Sequence, residues 1–329
     1  MFNIMVKIDV KDRKILYHLD LNSRQSFLEI GKKVGLSKNV IHYRVKRLEK
    51  EDIIKKYYTA INFHKLGYTN LGFFINYQYY TPDIENEIID YFVKNKYSWW
   101  IANVQGKYDL MALFLVKDLD DFFIFWKQTL KLYRYYFQKT QIVFLPFTYN
   151  YHNSYLTDTF KADDHIKFDK RYDQSEVHID DTDFKILNLI ALNARMPLTD
   201  IAKLLESSST MINNRIKKLI KLGIIQGFRI HINYSKLGYQ LFSVHFCLKN
   251  YDKIKNIIDY VKSNPNLIYI NEFIDNCDLD LNYYLKNFYD MHMVIKDIYR
   301  KFPNDIKNHM TLTFPKIFKS NYLPGKFLR

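Results

Sequence analysis

Two cysteines, Cys247 and Cys277, are all that 329 residues contain. Two thiols make neither a disulfide framework nor a four-ligand zinc site, so a reducing cytoplasm is the expected setting and no metal is expected. No stretch approaches the roughly 18 uncharged apolar residues that span a bilayer, so no membrane partner is expected. The first residues, Met1 to Asp9, lack an apolar signal-peptide core. Also missing are a phosphate-cradling P-loop, a dinucleotide fingerprint, His-Glu-x-x-His and Gly-x-Ser-x-Gly. The ten histidines are scattered without ligand spacing. The residues therefore nominate no catalytic group and no cofactor.

What is present is an apolar fraction of 48% with 17% aromatics, enough for two to four small globular domains. The net charge of +14 is unevenly placed. Residues 1–68 carry 15 cations against 7 acids, and residues 179–239 carry 9 against 5, whereas residues 69–148 balance at 8 and 8. A cationic excess focused on particular units is the footprint of a polyanion binder.

The focus coincides with a repeat. Residues 8–68 and 179–239 align without a gap at an offset of 171, with about 25 of 61 positions identical. In the first copy Asp9 precedes a helical pattern with Ile15, Leu16 and Leu19 on one face, broken at Asn22-Ser23-Arg24. Ser26-x-x-Glu29 is a capping box that starts a second helix, with Leu28 or Phe27, Ile30 and Val34 inward. Gly35-Leu36 makes a tight turn, and Ser37 caps a third helix to about Glu51 with Ile41, Val45 and Leu48 in one stripe. The second copy predicts helices at about 181–192, 199–205 and 208–222, with the stripe Ile212, Ile216 and Leu219.

The face opposite each stripe is polar. In copy 1 it holds Ser37, Lys38, Asn39, His42, Tyr43, Arg44, Lys46 and Arg47. In copy 2 it holds Ser208, Ser209, Thr210, Asn213, Asn214, Arg215, Lys217 and Lys218. A helix that buries one stripe and presents cations and amides on the other can lie in a major groove, its amides and cations reading base edges or holding phosphates. A solvated amphipathic surface would explain one such helix. Two copies that keep the cap, turn and stripe while the outer face diverges favour recognition of double-stranded DNA. A β-rich strand follows each third helix, and Lys55, Lys56 and Arg229 on it are candidate phosphate contacts.

Residues 69–148 and 241–314 each read as strand, helix, strand, strand, helix, strand. A βαββαβ order makes a four-stranded antiparallel sheet with helices on one face, and the open face needs a cover, which a second copy supplies. The fold class is thus α+β, a tandem duplication of winged helix-turn-helix plus ferredoxin-like βαββαβ. The expected boundaries are 1–68, 69–148, a polar linker over 149–177, 178–240, 241–314 and a tail over 315–329. Phe73, Tyr77, Trp99, Trp100 and Phe114 are expected in the core and between the sheets.

The combination Ile-Asp-x-x-Asp-x-Lys-Ile-Leu, Asn-x-Arg, Ser-x-x-x-Ile-x-x-Arg-Val-x-x-Leu-Glu, Ile-Ile-x-x-Tyr and Leu-Gly-Tyr, followed by βαββαβ, resembles the Lrp/AsnC (feast/famine) transcriptional regulators. Members pair through the βαββαβ or RAM domain, and they often bind an amino acid there. The resemblance implies two subunits fused into one pseudo-dimer, and leaves open whether chains assemble further, as octameric relatives do. It also implies an amino-acid effector turn at Gln105-Gly106-Lys107-Tyr108-Asp109, with Gly106, Tyr108 and Asp109 as candidate contacts. In copy 2, Asp275 and Cys277 replace the glycine and the tyrosine. A branch similar to this family decarboxylates siroheme with histidine and arginine in the RAM domain. Here the second and third strands of both copies hold neither, although His245 and His292 lie nearby, so a non-enzyme is expected. The other alternative is an architectural DNA binder with little sequence preference.

Overall fold

The computed structural model describes residues 6–157, 168–171, 177–274 and 277–321. The first unit is α1 (Val10–Leu21), α2 (Phe27–Val34), α3 (Lys38–Lys50) and the strand β1 (Ile54–Ile61). Its helices begin and end where local chemistry dictates. Asp9 with Asp12, and Ser26 with Glu29, form reciprocal capping boxes. Gly35 closes α2 with φ 71°, a left-handed conformation that costs glycine nothing. Ile41, Val45 and Leu48 pack on Ile15, Leu16, Leu19, Ile30 and Val34. Of the two candidates on α2, Phe27 packs inward and Leu28 stays exposed. The second unit repeats this with α6 (Asp181–Ala191), α7 (Leu198–Leu204), α8 (Ser209–Lys221) and β7 (Ile225–Ile232), around Ile186, Leu187, Ile212, Ile216 and Leu219.

The two units clasp each other. β1 pairs antiparallel with β7, placing Tyr57 opposite Ile230 and Thr59 opposite Phe228. The flanking hydrogen bonds come in reciprocal pairs at the repeat offset. Ser23 N donates to Phe228 O (2.7 Å) and Ala194 N to Tyr57 O (3.0 Å). Asn62 N donates to Ile224 O and Asn233 N to Ile53 O, each at 2.8 Å. Val6 N reaches Lys236 O as Val177 N reaches Lys65 O. Residue i meeting j′ while j meets i′ is the signature of a two-fold interface, here realised within one chain.

The rest of each half is a βαββαβ unit. The first comprises β2 (Thr69–Tyr77), α4 (Pro82–Lys94), β3 (Ser98–Asn103), β4 (Leu110–Val116), α5 (Leu119–Tyr133) and β5 (Phe137–Asn150). β6 (Phe168–Arg171) lies between the halves and pairs with β5. The second half has β8 (Gln240–Leu248), α9 (Ile254–Val261), β9 (Leu267–Ile274), β10 (Leu279–Leu285), α10 (Phe288–Lys301) and β11 (Ile306–Thr313), followed by β12 (Ile317–Ser320). Strand alternation separates the faces. Leu71, Phe73, Ile75 and Phe114 pack with helix residues Ile88, Phe92 and Phe122, whereas Phe74, Met111 and Leu113 join a cluster shared with Leu241, Tyr284 and Leu312 of the other half.

The expected sheet-to-sheet cover is joined by an exchange of strands. β5 runs past the expected end of its unit, and its last turns pair with β9, Thr148 opposite Asn271 and Asn150 opposite Tyr269. β12 pairs with β3, Ile317 opposite Ala102 and Ser320 opposite Trp100. The strands thus form one ten-stranded sheet in the order β11-β8-β10-β9-β5-β2-β4-β3-β12, with β6 beside β5. The segments read as a polar linker and a tail therefore begin as sheet. His152, Ser154, Tyr155 and Leu156 of that linker are buried. The sulfurs of Cys247 and Cys277 meet 3.1 Å apart.

One buried charge cluster knits these parts together. Asp20 of α1 accepts from Arg229 Nε and a terminal guanidinium nitrogen (3.0 and 2.7 Å) and from Asn153 N (2.8 Å), with His152 Nδ1 at 3.3 Å. Arg229 also donates to Tyr151 O at 2.9 Å. Arg229 is 2% exposed, which removes it from the candidate phosphate contacts. Its place on the inner side of β7 turns a cation that the sequence suggests for DNA into a cross-unit pin.

Candidate DNA-binding surface

Ser37 accepts from Val40 N at 3.4 Å and Ser208 from Met211 N at 3.1 Å, so both third helices start with a hydroxyl cap. Because Ile41, Val45 and Leu48 are fully buried, helical geometry turns Lys38, Asn39, His42, Tyr43 and Lys46 outward, and all five are exposed. Tyr43 stands out at 72% exposure. His42 stacks on Phe27, ring centroids 5.5 Å apart, which fixes its plane against α2. Lys46 is held by Glu49 at 2.8 Å. On α8, Ser208, Thr210, Asn214 and Lys217 are exposed, while Ser209 and Asn213 are half-buried.

Four of the residues assigned to reading are tied to carboxylates, Lys218 while its side chain stays 52% exposed. Arg44 bonds Asp9 at 2.6 Å and Asp12 at 2.9 Å, and Arg47 also pairs with Asp12. At the equivalent positions Arg215 bonds Asp180 (2.7 Å) and Asp183 (2.9 Å), and Lys218 bonds Asp183 (3.0 Å). Asp12 and Asp183 are buried, so these cations neutralise carboxylates at the start of α1 and α6 and anchor the third helix to the first. Arg215 donates a hydrogen bond that holds the Asp180 carboxyl below its usual range, helped by the Asp183 backbone N–H. The mutual repetition of Asp-x-x-Asp with Arg in both copies was the signal for this role. Arg44 and Arg215 remain about one quarter exposed, enough for a peripheral edge but not for free reach.

The strand cations also differ from expectation. Lys55 is exposed, but Lys56 bends to Ser320 O. Burial, with Lys55 beside it, pushes the Lys56 amine down to about 8. Lys56 lines a groove of about 1010 Å³ with His231, Lys316 and Lys319. Burial, with Lys56 and Lys55 nearby, pushes the His231 imidazole down to about 3.

Sequence reasoning left Arg24 and Arg195 without a role, and they are central. Arg24 donates to Ala194 O (2.7 Å) and Met196 O (3.2 Å), and Arg195 to Ser23 O (2.5 Å) and Gln25 O (3.4 Å). The guanidinium of Arg24 lies over Phe228, and that of Arg195 over Phe27. Each turn thus captures its twin. The retained Asn-x-Arg in both copies is the trace this leaves.

The proposed effector turn is fully engaged. Tyr108 is 2% exposed, stacks on Phe74 and donates to Gln141 Oε1 at 2.6 Å. Asp109 accepts from Tyr77 N at 2.8 Å. Gly106, at φ 129°, lies so near Thr311 O that a Cβ would come within 2.7 Å of it. Asp275, the copy-2 counterpart of Gly106, lies outside the described residues, and Cys277 beside it is buried.

These two capped, clasped three-helix units define a helix-turn-helix DNA-binding protein. Residues 8–55 and 179–226 each match the winged helix-turn-helix DNA-binding family. An uncharacterised HTH-type transcriptional regulator of Pyrococcus furiosus is 32% identical over 122 residues, 37% of this chain and 82% of that protein. The regulator LrpA of Pyrococcus abyssi is 44% identical over 66 residues, 20% of this chain and 47% of that protein. Among solved structures, the siroheme decarboxylase NirDL superposes with a TM-score of 0.65 at 12% identity, over 97% of this chain and 94% of that one. At that identity the likeness is one of fold, over nearly the whole of both chains. The chain belongs to the Lrp/AsnC family of transcriptional regulators, and it is a DNA-binding regulator of transcription.

Proposed function

We propose that the chain reads two unlike DNA half-sites as a single-chain pseudo-dimer. The observation that carries this is the reciprocal clasp. Arg24 and Arg195, β1 and β7, and the paired backbone bonds join the two readers into one body, while the exposed residues they present differ: His42 and Tyr43 in one, Asn213 and Asn214 in the other. Half-sites about one helical turn apart, roughly 34 Å or a multiple, suit two readers related by a two-fold. The direct readers in this proposal are Lys38, Asn39, His42, Tyr43 and Lys46, with Thr210, Asn213, Asn214 and Lys217. Ser37, Ser208 and Ser209 offer helix-start hydroxyls and amides to phosphate. Arg44, Arg47, Arg215 and Lys218 act at the edge, through the helix they anchor.

An amino-acid effector at Gly106, Tyr108 and Asp109 belongs to the same reading. That turn lies against Thr311 and Leu312 of the other half, so a ligand there would bear on the junction between halves. The chain is read as a non-enzyme, in keeping with the regulators it resembles. Selection of bound fragments from random duplexes, with and without amino acids, tests the proposal. Two different half-sites at fixed spacing support it, and uniform retention of all sequences at the same salt dependence points to an architectural binder instead.

A further inference from the structure

Between the inward faces of the two halves lies a cavity of about 100 Å³ whose walls are chemically unlike. In the first half the inward positions of the central strand pair are Phe74 opposite Met111 and Gly72 opposite Leu113. At the same registers the second half places His245 opposite Asp280 and Ser243 opposite Asn282. The next strand repeats the contrast, Ala102 beside Met111 but Asn271 beside Asp280. A sheet that only had to pack against its twin has no need of this set, because burying a carboxylate is costly unless it is fully hydrogen-bonded.

Asp280 is 4% exposed and is held accordingly. It accepts from Ser243 Oγ at 2.5 Å, Asn282 Nδ2 at 2.6 Å and Asn271 Nδ2 at 2.7 Å, with His245 Nε2 at 3.5 Å. Over this floor the cavity is walled by aromatic side chains, Trp99, Trp100, Tyr269 and Phe314. A second observation comes from the exchanged end of β5. Asn150, 5% exposed and lining the same cavity, has a side-chain Nδ2 with no hydrogen-bond partner. A buried donor left unmade is a standing cost that a ligand acceptor removes.

We propose that this cavity is a binding site for a small organic cation bearing an acceptor oxygen, such as an amino alcohol. The ammonium is drawn by the Asp280 charge and by the aromatic faces around it. The oxygen takes the free N–H of Asn150. A water molecule's share of liquid volume is about 30 Å³, so the cavity admits only a handful of heavy atoms. The site is separate from the third helices and from the Gly106 turn, and it goes beyond the DNA-binding reading.

The test is titration of the whole chain, without DNA, with ethanolamine, following tryptophan fluorescence and the thermal midpoint, and with ethylene glycol as the neutral isostere. Saturable quenching and a raised midpoint with ethanolamine alone are expected. Asp280→Asn is expected to weaken binding about tenfold or more, and Asn150→Ala, which leaves the carboxylate network intact, about fivefold. No saturable response, an equal response to ethylene glycol, or unchanged affinity in Asn150→Ala overturns the proposal. If Asp280→Asn does not fold, Asn150→Ala decides alone. With DNA absent from the assay, a negative result leaves the DNA reading standing, and a chain that ignored DNA would leave this result untouched.

Discussion

The two helix-turn-helix copies have kept the contacts that join them and changed the residues that face outward. The two βαββαβ copies have done the opposite. Their helix-side cores stay apolar, Phe73 and Phe114 in one and Phe242, Val244 and Phe246 in the other, while the inward faces that meet each other have diverged. A third asymmetry joins these regions. Asp20 and Arg229 form a buried pair, yet the equivalent positions in the other copy are Ala191 and Tyr58, neither charged. Duplication explains the symmetric clasp, and divergence within one chain explains why a feature can exist on one side of a pseudo-axis only.

The largest test of that asymmetry is Arg229→Met. It leaves the Asp20 carboxylate buried without its cation and should cost about 3–5 kcal/mol in urea unfolding. Adding Asp20→Leu should recover most of the loss, since the other copy does without the pair. Arg229 and His152 hold the Asp20 carboxyl well below its usual range, against burial, which alone would raise it. A depressed folded value means the pair's stabilisation is complete above the ordinary carboxylate pKa of about 4 and disappears as pH falls through the folded value, in strong acid. An acid-unfolding midpoint that does not move in Arg229→Met would contradict this.

Arg44→Ala and Arg215→Ala probe the symmetric part. Each strips a partner from Asp12 or Asp183, and each should lower stability by about 1–3 kcal/mol in thermal unfolding without DNA. An unchanged midpoint with weakened DNA binding would reassign both to reading. On the outer face, Lys46→Ala and Lys217→Ala should leave the midpoint alone, weaken binding on every sequence and reduce the salt slope by about one each. His42→Asn with Tyr43→Asn makes the two faces alike at these two positions, and the selected sites should move towards a palindrome. Smallest are the caps: Ser37→Ala and Ser208→Ala should each cost about 1 kcal/mol.

Much of this architecture was legible because repetition doubled every signal. The stripes Ile41–Val45–Leu48 and Ile212–Ile216–Leu219, the Ser26–Glu29 box and the βαββαβ order all follow from local patterns of charge, cap and period. Partner choice was less legible. Arg44 and Lys46 both read as cations on a polar face, and only the buried Asp12 separates the anchor from the exposed lysine. Arg229 looked like a strand cation on a solvated edge until its strand paired across the molecule. The ends of β5 and β12 were read as linker and tail because strand exchange is decided by a distant edge in search of hydrogen bonds, which no local window contains.

The clasp between the readers has a consequence for dose. Subunits that must find each other in solution lose their partner on dilution, and operator occupancy then rises with the square of concentration. In the proposed single-chain pseudo-dimer β1 and β7 meet inside one molecule, so occupancy should rise in simple proportion to the number of chains, down to a few per cell.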